Sequence, residues 1–288
     1  MKFKNTLLHK DFTICCRGKL VDLSTPAVMG IINITDDSFY AGSRTRALHQ
    51  VVERAGALLE QGAAFLDIGA QSTRPGAVTV GAAEEAERLL PAIHAILHHY
   101  PEALLSIDTF YAAVAEKCVH AGAAMINDIS AGEMDAAMLP TAASLQVPYI
   151  AMHMQGTPAT MQHNPQYEDV TQEVLDYFIR KVQQCREAGI NDVIIDPGFG
   201  FGKTLAHNHI LLQQLDALHL AGAPILAGVS RKSMIYKLLG NTPADALNGT
   251  TVLHTMALLK GAAILRAHDV KEALECVRIV SYQRSLQL

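Results

Sequence analysis

The chain has 288 residues, half of them hydrophobic and 18% charged, with a net charge of −5 and a pI near 6.2. That supplies apolar material for one large core, and the length fits one domain spanning 1–288: a barrel of roughly 250 residues with a short extension. The mild acidity and the lack of a basic run argue against nucleic acid as partner, and no apolar stretch approaches the roughly 18 residues of a membrane span.

The N-terminal MKFKNTLLHKDF lacks the long apolar segment of a signal peptide. Residues 12–24 (FTICCRGKLVDLS) read as a hairpin turning at Arg17-Gly18, placed to close the bottom of a barrel. Short apolar runs with polar ends follow. VMGIIN ends on Asn33, FLDIG leads into Gln71-Ser72-Thr73-Arg74, LLSID ends on Asp108, and AMIND ends on Asn127 and Asp128. YIAMH ends on His153, VIID on Asp196, ILAGVS runs into Arg231-Lys232, and AILRAH reaches Arg266 and His268. A buried parallel strand reads as such a near-continuous hydrophobic run.

Amphipathic helical patterns separate the runs, over 47–62, 83–99, 111–121, 135–146, 168–188, 207–220, 243–260 and 269–283. The first of them places Leu48, Val51, Val52, Ala55, Leu58 and Leu59 on one face. Strands alternating with helices predict an α/β fold, a (β/α)8 TIM barrel with a short N-terminal β-hairpin. The polar strand ends then gather at the C-terminal mouth, where barrels carry their catalytic groups.

Several tempting features read blandly. Cys15, Cys16, Cys118, Cys185 and Cys276 lack CxxC spacing and read as free thiols of a reducing cytoplasm. DPGFGFGKT fails as a nucleotide phosphate loop, since Gly198 to Gly202 leaves three residues where that loop needs four. Its glycines still allow close backbone approach to a ligand beyond Asp196. His98-His99 suit a helix C-terminus. His207 and His209 would not share a helical face, and so read as surface or cap residues rather than zinc ligands. Met152 and Met154 flank His153, with core packing at least as good an account as ligand contact.

Arg266 and His268 lie two residues apart on the last run, so both face the interior if Ile264 does. A buried Arg–His pair without a carboxylate partner is costly unless an anion is present. No Ser-His-Asp or Cys-His nucleophile stands out.

MGIINITDDSFYAG, DIGAQSTRPGA, SIDT, INDI, MHMQGTP, DPGFGFGK, SRKSMI and LRAHDVKE occur in order from Leu23 to about Val277. With these segments the chain resembles the dihydropteroate synthase family of pterin-binding enzymes. The resemblance implies condensation of 6-hydroxymethyl-7,8-dihydropterin pyrophosphate with 4-aminobenzoate. It assigns Thr73, Asp108, Asn127, Asp196 and Lys232 to the pterin, with Asp108 and Lys232 as the catalytic pair. Arg74, Arg266 and His268 fall to pyrophosphate, and Pro75, Phe201 and Ser233 to 4-aminobenzoate. Asn33 matches the Mg2+ position, and the family implies a homodimer built on late helices around 243–283. Donor and acceptor chemistry agrees: a carboxylate at Asp196 accepts two adjacent N–H groups of the pterin edge, and Asn127 suits a mixed edge.

Departures from the family pattern lie in the first two loops. Asp36 replaces Pro, Ala41 stands where an Asp is common, and Gln71 where Glu is common. Two alternatives follow, a non-catalytic pterin-binding paralogue and a pterin-dependent methyltransferase barrel. The second would not combine STRPG, SRKS and RxHD, since it handles no pyrophosphate.

Overall fold

The computed structural model describes residues 12–34, 44–71, 80–158, 160–161 and 164–286. β1 (Thr13–Cys16) and β2 (Lys19–Asp22) pair antiparallel around Arg17 (φ 51°) and Gly18 (φ 75°). Two consecutive positive φ angles match the twist of a two-residue hairpin, as expected from Arg-Gly.

The apolar runs form eight parallel strands: β3 (Ala27–Asn33), β4 (Phe65–Gly69), β5 (Leu105–Asp108), β6 (Met125–Asp128), β7 (Tyr149–Met152), β8 (Val193–Asp196), β9 (Leu226–Ala227) and β10 (Ile264–Ala267). Their order is β8-β7-β6-β5-β4-β3-β10-β9. The two ends meet where Ile195 pairs in parallel with Ile225, its N–H donating to Pro224 O at 3.0 Å, so the sheet closes on itself. Nine helices pack outside it: α1 (Arg44–Glu60), α2 (Ala82–His99), α3 (Ala112–His120), α4 (Met138–Leu145), α5 (Val170–Glu187), α6 (Leu205–Gln213), α7 (Ser233–Leu239), α8 (Leu247–Leu259) and α9 (Val270–Ser285), counted among the described residues.

The predicted helix over 207–220 is two pieces. After α6, a 3-10 helix covers Leu215–Ala221, burying Leu215, Leu218 and Ala221. Apolar residues three apart suit three residues per turn better than the α-helical period. α7 is an additional helix that the periodicity did not mark.

Alternation along the strands splits the core. Met29, Phe65, Met125, Ile150, Ile194, Leu226 and Ile264 point inward and pack with Ile14, Cys16 and Leu23 from the hairpin. Asp192, just ahead of β8, accepts Cys15 N–H at 2.8 Å. The hairpin therefore plugs the N-terminal end, which leaves the opposite mouth free.

Candidate active site

Interior parity carries Asn33, Asp108, Asn127, Asp196, Arg266 and His268 to a single cavity of about 660 Å³, joined there by Gln71, Phe201, Lys232 and Ser233. Not every polar strand end arrives. Asp128 and His153 have the opposite parity: Asp128 accepts from Tyr149 Oη at 2.7 Å, and His153 packs against Tyr177 in the helix layer. Thr73, Arg74 and Pro75, like Asp36 and Ala41, lie outside the described residues.

The floor is an ionic cluster. Arg266 Nε donates to Asp67 Oδ2 at 2.6 Å and its Nη2 to Asp108 Oδ2 at 3.0 Å, while Asn127 Nδ2 donates to Asp67 Oδ2 at 3.1 Å. The expectation of an Arg–His pair without a carboxylate is therefore incorrect, since Arg266 has two. Asp67 went unread because it sits inside FLDIG rather than at its end. Its signal was parity: it shares the inward face with Phe65. Burial works against the Arg266 cation, but Asp67 and Asp108 outweigh it and hold the guanidinium firmly charged. Burial drives the Asp108 carboxyl well above its usual range; Arg266 pulls it back only in part, because Asp67, Glu85 and Asp128 add negative charge nearby.

On the other wall, Lys232 is the N-cap residue of α7. Its Nζ donates to Phe199 O at 2.6 Å and lies 4.8 Å from the centre of the Phe201 ring. Burial lowers Lys232 to about 8, with Asp196 opposing the shift. Asp196 is raised by its own burial, opposed first by Lys232, and its Oδ1 accepts Gly198 N–H at 2.8 Å. Phe201 packs with Phe110, Ile129 and Met152, so Met152 serves both core and cavity wall.

Near the cavity rim, His268 Nδ1 meets Ser230 Oγ at 3.0 Å, and burial together with the Arg266 charge lowers the ring to about 4. It faces the cavity as a neutral imidazole. Arg231 lines the cavity's edge with φ 52°, its guanidinium engaged by Asp269 through Nε at 2.8 Å and Nη2 at 2.9 Å and by the carbonyls of Pro243 and Ala244 through Nη1.

Gln71 spans the ends of the second loop. Its amide donates to Val80 O at 2.7 Å and to Glu85 at 2.5 Å, and accepts Val80 N–H at 3.0 Å. A glutamate here would face Glu85 as a second carboxylate.

No group of three or more His, Cys, Asp or Glu able to hold a metal occurs among the described residues. Asn33 is exposed at the cavity rim, where its amide oxygen suits a hard cation that takes its remaining ligands from phosphate and water. The histidines set aside earlier have ordinary partners: His207 completes the capping box of Thr204, and His209 Nε2 lies 3.1 Å from Met234 O.

The pterin binding enzyme family matches residues 29–268. A dihydropteroate synthase of Escherichia coli K12 is 43% identical over 266 residues, covering 92% of this chain and 94% of its own. The Yersinia pestis dihydropteroate synthase crystallised with a sulfonamide drug superposes with a TM-score of 0.89 at 43% identity, covering 95% of this chain and 100% of that one. The Xanthomonas albilineans dihydropteroate synthase with 4-aminobenzoic acid gives 0.88 at 38% identity, covering 96% and 99%.

Proposed function

The chain belongs to the pterin binding enzyme family, with the dihydropteroate synthases as its relatives, and we propose how its cavity residues divide that reaction among themselves. The activity is a transfer: 6-hydroxymethyl-7,8-dihydropterin pyrophosphate gives its pterin-methyl group to 4-aminobenzoate, and 7,8-dihydropteroate and pyrophosphate leave.

Asp196 accepts the N–H donors of the pterin's pyrimidine edge, Asn127 pairs with the mixed edge, and Lys232 donates to the ring carbonyl or N5. The supporting observation is that these three, together with Asp108 and Arg266, face one another across a single cavity. The CH2–O bond breaks as pyrophosphate departs, and the electron-rich dihydropterin shares the resulting positive charge. Asp108, beside the ring, stabilises that charge electrostatically. The aminobenzoate nitrogen then bonds to the methylene carbon and gives up a proton.

Arg266 and His268 receive the pyrophosphate, with Arg74 from the second loop. Phe201, Pro75 and Ser233 wall the aromatic amine, and the N–H groups at the start of α7 attract its carboxylate. Thr73 adds a pterin contact. Asn33 would hold a Mg2+ ion, which when bound neutralises charge on the leaving group.

A second copy of the chain is the proposed partner. Val252, Met256 and Leu259 form an exposed stripe on α8, and Ile279, Tyr282 and Leu286 another along α9 and its end. Apolar rows at helical spacing on neighbouring helices fit a homodimer interface. Five free thiols, four of them buried, suit the reducing cytoplasm.

The deciding experiment is pyrophosphate release from the pterin substrate with and without 4-aminobenzoate, with mass detection of dihydropteroate. Release that ignores the amine, or binding without turnover, would overturn this reading.

A further inference from the structure

Lys203 closes the segment that fails as a phosphate loop, and the structure gives it a different task. Its side chain is buried, and Nζ lies 2.9 Å from His153 Nδ1, 3.1 Å from Gly198 O, 3.1 Å from Phe201 O and 3.4 Å from His153 O. No carboxylate pairs with it among the described residues. Burial lowers the His153 ring to about 2, so it is neutral, and lowers Lys203 itself to about 7 with Asp196 opposing; charged or neutral, the Lys203 amino group has a hydrogen to donate to His153 Nδ1.

The loop around Lys203 is curled by glycines. Gly198 has φ 67° and Gly202 φ 61°, and a Cβ would stand 2.0 Å from His153 O at the first and 2.4 Å from Gln155 O at the second. Backbone packs on backbone here, which turns several carbonyls toward one point. Buried carbonyls and a buried amino group each carry a desolvation cost unless they meet. Lys203 is where they meet, taking the place a bound cation would have in such a ring of oxygens. Tyr167 Oη on Gly202 O at 2.9 Å and Asn208 Oδ1 on Gly200 N–H at 2.7 Å tie the remaining turns.

The same loop supplies two contacts to the catalytic wall. Phe199 O takes the Lys232 ammonium, and the Phe201 ring lies beneath it. We propose that Lys203 is a positioning residue for the reaction: its amino group, seated on His153 and the carbonyls of Gly198 and Phe201, sets the Phe201 ring and the Phe199 carbonyl at the aromatic-amine side of the cavity. This rests on Phe201 walling the amine.

Lys203→Met keeps the length of the side chain and removes the donors. The variant should raise the KM for 4-aminobenzoate tenfold or more, while the dissociation constant of a pterin lacking phosphates, measured by calorimetry, changes less than threefold. A residue that only stabilised the fold would lower the melting temperature and leave that split absent. His153→Leu, in which Lys203 keeps its carbonyls, should move the same KM in the same direction by about threefold, and it decides the matter if Lys203→Met does not fold. Phe201→Ala, run in parallel, separates the two readings. If it leaves the KM unchanged, the placement of the amine falls; if it raises the KM while Lys203→Met and His153→Leu do not, the bracing role falls.

Discussion

Asp67 and Arg266 meet across the interior of the barrel, carboxylate to Nε at 2.6 Å, with Asp67 wholly buried and Arg266 19% exposed toward the cavity. This pair belongs to the ionic floor of the cavity and also holds Asn127, whose amide donates to the same Asp67 oxygen. One carboxylate thereby orients two groups that face the cavity.

Asp67→Asn keeps the shape but removes the charge and turns one acceptor into a donor. Hydrogen bonds to charged groups contribute about 1.5–3 kcal/mol, and Asp108 retains part of the Arg266 interaction. The folded state should lose roughly 1–3 kcal/mol, visible as a lower denaturation midpoint at unchanged m-value, with pterin affinity falling in parallel. An unchanged midpoint would mean the pair contributes nothing net, as buried ion pairs sometimes do.

Asp196→Asn tests the pterin slot. Gly198 N–H donates to Asp196 Oδ1, so the amide of the variant should keep its oxygen on that side and turn its NH2 toward the pterin donors. Two donors then face each other. Pterin affinity should drop by about 1.5–3 kcal/mol per lost charged hydrogen bond, that is roughly 10- to 150-fold. Burial raises the Asp196 carboxyl, so the neutral amide should leave thermal stability intact. Unchanged affinity by calorimetric titration would remove Asp196 from the slot.

Much of this arrangement was legible in the chain, for a reason visible residue by residue. Asp108, Asn127, Asp196 and Arg266 each end or follow an apolar run on its inward face, so a strand pattern points them at the cavity. Asp128 and His153 end runs too, but one step of the pleat sends them into the helix layer. Asp67 was hidden by its place mid-run. Arg231 and Lys232 are adjacent cations whose fates differ because the left-handed turn at Arg231 breaks the alternation beyond β9, and no strand pattern extends across such a turn. The split of 207–220 into α6 and a 3-10 helix was hidden because the apolar residues fit either period.

Lys232 should set an alkaline limit on substrate binding. Burial lowers it to about 8 from 10.5, so its ammonium is lost above about 8, and affinity for the pterin pyrophosphate should then fall toward tenfold per pH unit. Lys232→Arg, charged throughout, should bind more weakly but show no such limb. The stability effect has the opposite sense. The buried ammonium costs the folded state below about 8, and that cost fades as pH rises toward 10.5, so this group alone makes stability increase across that window. A limb that persists in Lys232→Arg belongs to another residue.

The apolar stripes of α8 and α9 predict the assembly state. Sedimentation should give a mass twice the 31.1 kDa of the chain, and Ile279→Glu, placing a charge in the stripe, should move the mass toward a single chain without unfolding it. A wild-type chain that sediments as a monomer at micromolar concentration would reject the dimer.

The anion end of the cavity separates Arg266 from His268. Arg266 is engaged by two carboxylates, so Arg266→Ala would leave Asp67 and Asp108 facing each other without a cation and should harm folding, pterin binding and pyrophosphate binding together. Among the described residues the His268 ring has Ser230 Oγ as its hydrogen-bond partner and no carboxylate. It is neutral above about 4, and so offers a pyrophosphate oxygen a hydrogen bond rather than a charge. His268→Ala should therefore weaken inorganic pyrophosphate by roughly 1 kcal/mol, about fivefold, while a pterin lacking phosphates binds as before. If the Asn33 amide helps hold Mg2+ there, EDTA should abolish turnover, added Mg2+ should restore it, and Asn33→Ala should demand a higher Mg2+ concentration for half-maximal rate. Equal losses of both ligands in His268→Ala would assign the ring to support of the barrel, and full activity in EDTA would remove the metal from the site.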